Sequence, residues 1–446
     1  MSNLTDNWRE EKSTQPLPTA SKFDLMKNLP NLLRILGAGA VVIAMYSFLV
    51  KGWDNGNDIF RYCLMLGHTA ALAAIGVASA RWLKESKGAR LLLTLSLVSI
   101  PANFAILGAF IYSQTIPIDS SVYPHYIAWS VDSLNSALLT TGAALLVLGP
   151  VTWFGFRVLA RNMSKNLTLL FLLCNTILLI PIRDPQWVSA MVLGLGICVI
   201  WFSRKISHQH TAAKTQEGFF ALALQMLPLA VLIGRSLWLY SMDLFLIAMI
   251  SVMGFFVLRQ VSIALASHSK SVAILDAISI MPAISFGFAF CAALLENRLL
   301  MNDIVLPLSA LLSAALIYDI ASRSSYQSGT YRRFAVVGLS ISILTNLVLS
   351  ASLLAAIISM IIGLGMLFLG NKKQQRSVFS GGVGLLIAGG FQQIFTLFHQ
   401  FDFSHWASLA AFGVLSIVIA STIESSEGKF KLKINRWRNE YSDWNQ

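Results

Sequence analysis

Asp276, Ser279 and Pro282 lie within the stretch KSVAILDAISIMPAISFGFAF (270–290), which is otherwise apolar or small after Lys270. A carboxylate in such a stretch is costly, and a proline leaves the carbonyl four residues earlier, that of Ile278, without its helical donor. On a helix, Asp276 shares a face with Ser279, Ala283 and Gly287, while Ile274, Ile280, Ile284 and Phe288 lie elsewhere. The acid therefore points into protein or a cavity rather than lipid. A carboxylate, a hydroxyl and a freed carbonyl together are able to coordinate a cation or carry a proton. Asp276 lies about 9 Å along the helix from Lys270, at 1.5 Å per residue. A structural alternative follows from that modest depth: a carboxylate paired with Lys270 or Arg333.

Three other positions are candidates for a substrate or ion pathway. Asn103 follows Ser96 and Ser99 on one face, and Asn346 falls in the series Gly338, Ser342, Asn346, Ser350. Small and amide side chains at this spacing let helices approach and hydrogen-bond, or line a polar route. Arg235, in IGRSLWLYSMD, suits an anionic headgroup or substrate, or a local partner such as Asp243. His399, Asp402 and His405 are metal-ligand residue types without a metal-site spacing, and the four cysteines all sit in apolar runs. We therefore expect no metal site and no cofactor. No P-loop, dinucleotide fingerprint or converging catalytic set is present, so we expect no enzyme chemistry.

These residues must be positioned by membrane helices. Of 446 residues 56% are hydrophobic and only 12% charged, half the charge of an ordinary soluble domain (about 25%). The fold class is all-α, a polytopic bundle of about fourteen transmembrane helices arranged as consecutive hairpins. Approximate cores are 32–50, 60–82, 90–113, 134–156, 166–182, 186–203, 218–237, 243–259, 271–295, 303–321, 333–350, 351–370, 377–399 and 405–423. The fifth and sixth are short for a span of roughly 20 residues, as a little-tilted or re-entrant segment would be. The first apolar run reads as a span rather than a cleavable leader. The domains are thus a tail over 1–31, a membrane unit over 32–423, and a basic amphipathic tail over 424–446.

Charge sets the expected orientation. With the N-terminus inside, all but five of the 33 Lys and Arg residues fall in the tails or in alternate connections; the exceptions are Lys51, Arg61, Arg183, Arg235 and Arg298. The positive-inside rule then places both termini in the cytoplasm, as in an inner-membrane protein. The net charge of +12 follows this loop pattern and does not point to nucleic acid. The tail KFKLKINRWRNEYSDW is expected to bind anionic lipid of the inner leaflet, at about 1 kcal/mol per basic residue.

An imperfect repeat runs through the chain. Lys87, Lys214, Lys270 and Arg333 are followed, 12 to 14 residues later, by Pro101, Pro228, Pro282 and Asn346. Each unit would be a hairpin whose second helix is interrupted, or carries a polar group, at mid-membrane, as transporter repeats are. The pattern favours a secondary transporter or flippase-like permease for an ion or small molecule. The alternative is a non-catalytic accessory or scaffold subunit. With native cysteines replaced, a cysteine at Ser121 is expected to react with an impermeant maleimide added outside intact cells, and one at Gln374 is not. The opposite labelling overturns the orientation.

Overall fold

A computed structural model describes residues 25–50, 57–82, 86–115, 128–209, 215–239, 242–265, 269–324, 328–350, 352–400, and the single positions 414, 417 and 421. Fifteen α-helices run through these residues: α1 Leu25–Val50, α2 Asp58–Trp82, α3 Ser86–Thr115, α4 Leu134–Leu159, α5 Ser164–Thr176, α6 Pro185–Gln209, α7 Gln216–Leu224, α8 Leu227–Leu239, α9 Leu244–Ala264, α10 Ser269–Ile278, α11 Ile280–Glu296, α12 Asn302–Arg323, α13 Ser328–Ser350, α14 Leu353–Lys373 and α15 Arg376–Gln400. There is no strand among the described residues. Thirteen helical segments are long and apolar enough to cross a membrane. The chain is an all-α multi-pass membrane protein. Helices satisfy their own backbone groups, which open strands in lipid would not. The expected fourteenth span and the basic tail over 424–446 lie outside the described residues, apart from positions 414, 417 and 421.

Many consecutive helices pack against one another, as hairpins should, notably α2 on α3, α3 on α4 and each pair from α11 to α15, while α9 packs on α6 as well as on α10 and α11. Two large apolar cores result, beside a small cluster of Leu347, Ala355 and Ala356. One draws mainly on α2 to α9, with Ala289 of α11, and the other mainly on α9 and α11 to α15. α9 joins them: Leu246, Met249, Val252 and Met253 belong to the first, and Phe255 to the second. α1 packs lightly on α3, with Met45 and Phe48 partly buried against the first core and no fully buried residue between Leu29 and Phe48.

The repeat is interrupted in only two of its four units. The seventh span breaks at Gln225–Met226, ahead of Pro228, and the ninth at Ser279, ahead of Pro282. α3 runs unbroken through Pro101, and α13 through Asn346. Asn346 keeps its backbone N–H, so nothing forces a break there. The fifth span is short because α5 tightens into a 3-10 turn at Ile177–Leu179 and then unwinds to Asp184.

Glycines in α15 serve close packing. A Cβ at Gly382 would lie 2.7 Å from the carbonyl oxygen of Gly363, and one at Gly363 would lie 3.0 Å from that of Gly382. The two backbones therefore touch, a contact that substitutes for the missing hydrophobic drive between helices in lipid. Gly384, two residues on, faces open space. Gly382→Leu is expected to lower stability by about 2 kcal/mol through overpacking. Gly384→Leu should change it by less than about 0.5 kcal/mol. Thermal denaturation of the purified protein in detergent checks the contrast.

Candidate functional site

Two of the buried charges, Arg259 and Asp276, meet at the end of the bundle that carries the basic connections. Arg259 lies five residues before the end of α9, and Asp276 lies in the last turn of α10. Arg259 Nη1 donates to Asp276 Oδ1 at 2.5 Å, and both residues are almost wholly buried, at 5% and 1% exposure. Ser262 Oγ donates to the same oxygen at 3.0 Å. Asp276 Oδ2 is buried without a hydrogen-bond partner. Arg259 Nε lies 3.9 Å from Asp319 of α12, which also pairs with Arg323 at 2.9 Å. Tyr331 of α13 donates to the carbonyl of Ala273, one turn from Asp276, at 3.5 Å. Two arginines and two aspartates thus tie α9, α10 and α12 at one point, with α13 alongside.

The partner of Asp276 is Arg259, which the sequence reading did not name; the Lys270 side chain lies outside the described residues. Neither Arg259 nor Asp319 carried a local signal in the sequence, because tertiary packing brings Arg259 to Asp276 and Asp319 to Arg259. The expected face is buried as a unit: Asp276, Ser279, Ala283 and Gly287 lie inside, and Ile274 and Phe288 are exposed. Ser279 is fully buried at the helix break, but its hydroxyl donates to the carbonyl of Leu275 at 2.7 Å. Pro282 lies beside Gly254 of α9, 3.9 Å from where a Cβ there would sit. One turn further, Ser251 and Ser285 share a hydrogen bond of 2.9 Å between α9 and α11.

The remaining candidates lie elsewhere. Asn103 Nδ2 donates to Thr69 Oγ1 of α2 at 3.0 Å and to the carbonyl of Ser99 at 2.9 Å. Ser99 Oγ also reaches Thr69 at 2.9 Å, so these groups join α2 to α3. Asn346 Nδ2 donates to the carbonyl of Asp303, at the opposite end of α12 from Asp319, at 2.9 Å. Those two acids are 16 residues apart, about 24 Å along the helix. Arg235 Nη1 donates to the carbonyl of Leu178, at 3.3 Å, on the 3-10 turn that ends the fifth span. Arg183 serves the same unwound segment through the carbonyls of Ile180 and Ile182, at 2.9 and 3.0 Å, and its guanidinium lies 4.6 Å from the Tyr112 ring centroid. Sequence reasoning also passed over Arg61, which is 1% exposed with its guanidinium 4.0 Å over the Trp129 ring.

No group of three or more His, Cys, Asp or Glu side chains among the described residues could hold a metal ion. No protein-family model matches the chain, and neither does any curated protein sequence or any solved structure. Function must therefore be argued from the charge cluster and its helices.

The pair is asymmetric, and that yields a test. Without Asp276, Arg259 still has Asp319 nearby; without Arg259, Asp276 keeps only Ser262. Stranding a buried charge costs about 3–5 kcal/mol. Arg259→Gln is expected to lower the melting temperature more than Asp276→Asn, and the double variant should melt higher than Arg259→Gln alone. Equal, additive losses would remove the pairing from the account.

Proposed function

We propose that this chain is a secondary transporter or flippase-like permease of a bacterial inner membrane, with both termini cytoplasmic and no enzymatic step of its own. One observation carries the reading. The ninth span is interrupted at Ser279, three residues beyond a buried carboxylate whose partner sits on the helix that joins the two cores. An interrupted helix and a desolvated ion pair each lower stability, and both mark substrate or coupling-ion sites in membrane carriers. α10 is short, at ten residues. It is attached to α11 through a broken turn and held to α9 by charge. It is built to move as a lever while α9 and α11 stay joined at Ser251 and Ser285.

In this reading the pair is a gate at the basic end. A proton or metal cation reaching Asp276 competes with Arg259 for the carboxylate, and Oδ2 is the oxygen free to take it. Arg259 then turns toward Asp319. The second reading, an accessory or scaffold subunit, rests on α1, which packs one face on α3 and leaves most of its apolar side chains exposed, including Ile35 at 73% and Ile43 at 67%. Lipid or a partner helix suits such a surface.

Solid-supported-membrane currents from reconstituted protein separate the two. Amino acids, sugars and organic anions are screened under an inward proton or sodium gradient. A permease gives gradient-dependent current with at least one class. Asp276→Asn should then abolish it, by at least tenfold, with protein abundance in the membrane kept above about half. A wild type silent throughout, recovered with a stoichiometric partner protein, favours the scaffold.

A further inference from the structure

α4 ends and α5 begins around a cleft of about 350 Å³ lined by Trp153, Arg157, Arg161, Asn162, Lys165 and Asn166, with Met163 and Ser164 between them. Three cations line it and no acid does. No ion pair among the described residues neutralises Arg157, Arg161 or Lys165, although neighbouring basic connections do use acids, as Arg90 does with Glu217 at 2.7 Å. Loop basicity alone explains charge on this face, but not a concave site with amides between the cations. The α4–α5 connection folds it by a single 3-10 turn, Arg161–Met163, that brings both helix ends together. The first turn of α5 adds its positive dipole end to the cations, since its N-cap Met163 makes no side-chain cap.

We propose that this cleft binds a phosphate monoester, presented as the headgroup of a membrane lipid. The chemistry follows from the lining: two guanidiniums and an ammonium match a dianion, and guanidinium forks hydrogen-bond phosphate oxygens in pairs. Size agrees. Ligand pockets run from about 300 to 1,000 Å³, so this one takes a small headgroup rather than a nucleotide-linked sugar. The lipid source follows from what lies below. Leu169 and Leu173, one and two turns from Lys165 on the same face of α5, are exposed at 65% and 59%. They offer an acyl chain a continuous apolar path from the cleft. Trp153, half-buried at its edge, is the aromatic residue expected at headgroup depth. On the α2 side of α4, an alanine-rich groove of about 410 Å³ ends at Arg81 and Trp82 and gives room for further acyl chain.

The site is separate from Asp276, so its test stands whether or not the chain is a permease. Full-length protein in detergent is titrated with dioleoyl phosphatidic acid or dioleoyl phosphatidylcholine and read by native mass spectrometry. Phosphatidic acid is expected to bind at least tenfold tighter. Arg157→Gln, Arg161→Gln and Lys165→Gln together should remove that preference. Replacing Lys205, Lys372 and Lys373 with Gln, which takes the same charge from elsewhere, should retain it. If the triple variant is misfolded by size-exclusion profile, Arg161→Gln alone should still weaken phosphatidic acid several-fold. Excess glycerol 3-phosphate or inorganic phosphate should not displace the lipid. Displacement by either keeps the phosphate site and assigns it to a soluble ligand. The proposal is overturned by equal binding of both lipids, or by equal loss in the two triple variants.

Discussion

A carboxylate and a guanidinium have been removed from water together at Asp276 and Arg259, and the packing of four helices is arranged around that fact. Neither charge tolerates the interior alone. Their attraction is strong only because the surroundings are apolar, and the same surroundings make separation expensive. Each therefore has reserves: Ser262 for the acid, Asp319 for the base. The reserves reach across α9, α10 and α12, so the pair sets where three helix ends sit relative to one another. Replacing it with well-packed apolar residues would be as stable or better by the usual energetics of buried pairs. A buried pair of this kind is therefore weak evidence for stability.

Polar groups elsewhere behave differently. Asn103, Ser99 and Thr69 spend their bonds on one helix contact, and Asn346 on another. Arg183 and Arg235 donate to carbonyls that the short fifth span leaves without helical partners. These groups make a membrane helix bundle cohere where hydrophobicity cannot. The touching backbones at Gly363 and Gly382 do the same by dispersion. Against that background the interruption at Ser279 stands out. Its helix fragment carries the buried acid, and its neighbour α9 belongs to both cores. Motion of α10 would thus be felt in both halves of the molecule.

Thirteen of the expected spans and their approximate boundaries were legible because hydropathy reports burial in lipid directly. Most described ends fall within a few residues of the apolar runs. Asp276 was legible as an anomaly, and its inward face followed from helical periodicity. Its partner was not taken from the sequence, because basic residues near span ends all look alike before the helices pack. Asp319 depended on the tertiary placement of α12, packed on α11 and α13, which no local pattern encodes. Proline spacing suggested three interrupted helices where two occur: a proline removes one hydrogen bond, and α3, packed against α2 and α4, stays helical without it. The glycines of α15 left packing and bending equally open until their neighbours were known.

If the pair is a gate, the break at Ser279 must meet water from the basic end during part of the cycle. Ser279 is fully buried as the helices now lie. The direct measurement is the rate at which a water-soluble maleimide modifies a cysteine at position 279 in otherwise cysteine-free protein, reconstituted with its basic face outward. The account predicts slow but complete labelling in the wild-type background. It predicts a rate at least tenfold higher with Asp276→Asn, in protein that melts as one folded species. A cysteine that stays unreactive in both backgrounds would contradict a gate and leave Arg259 and Asp276 as a structural clasp.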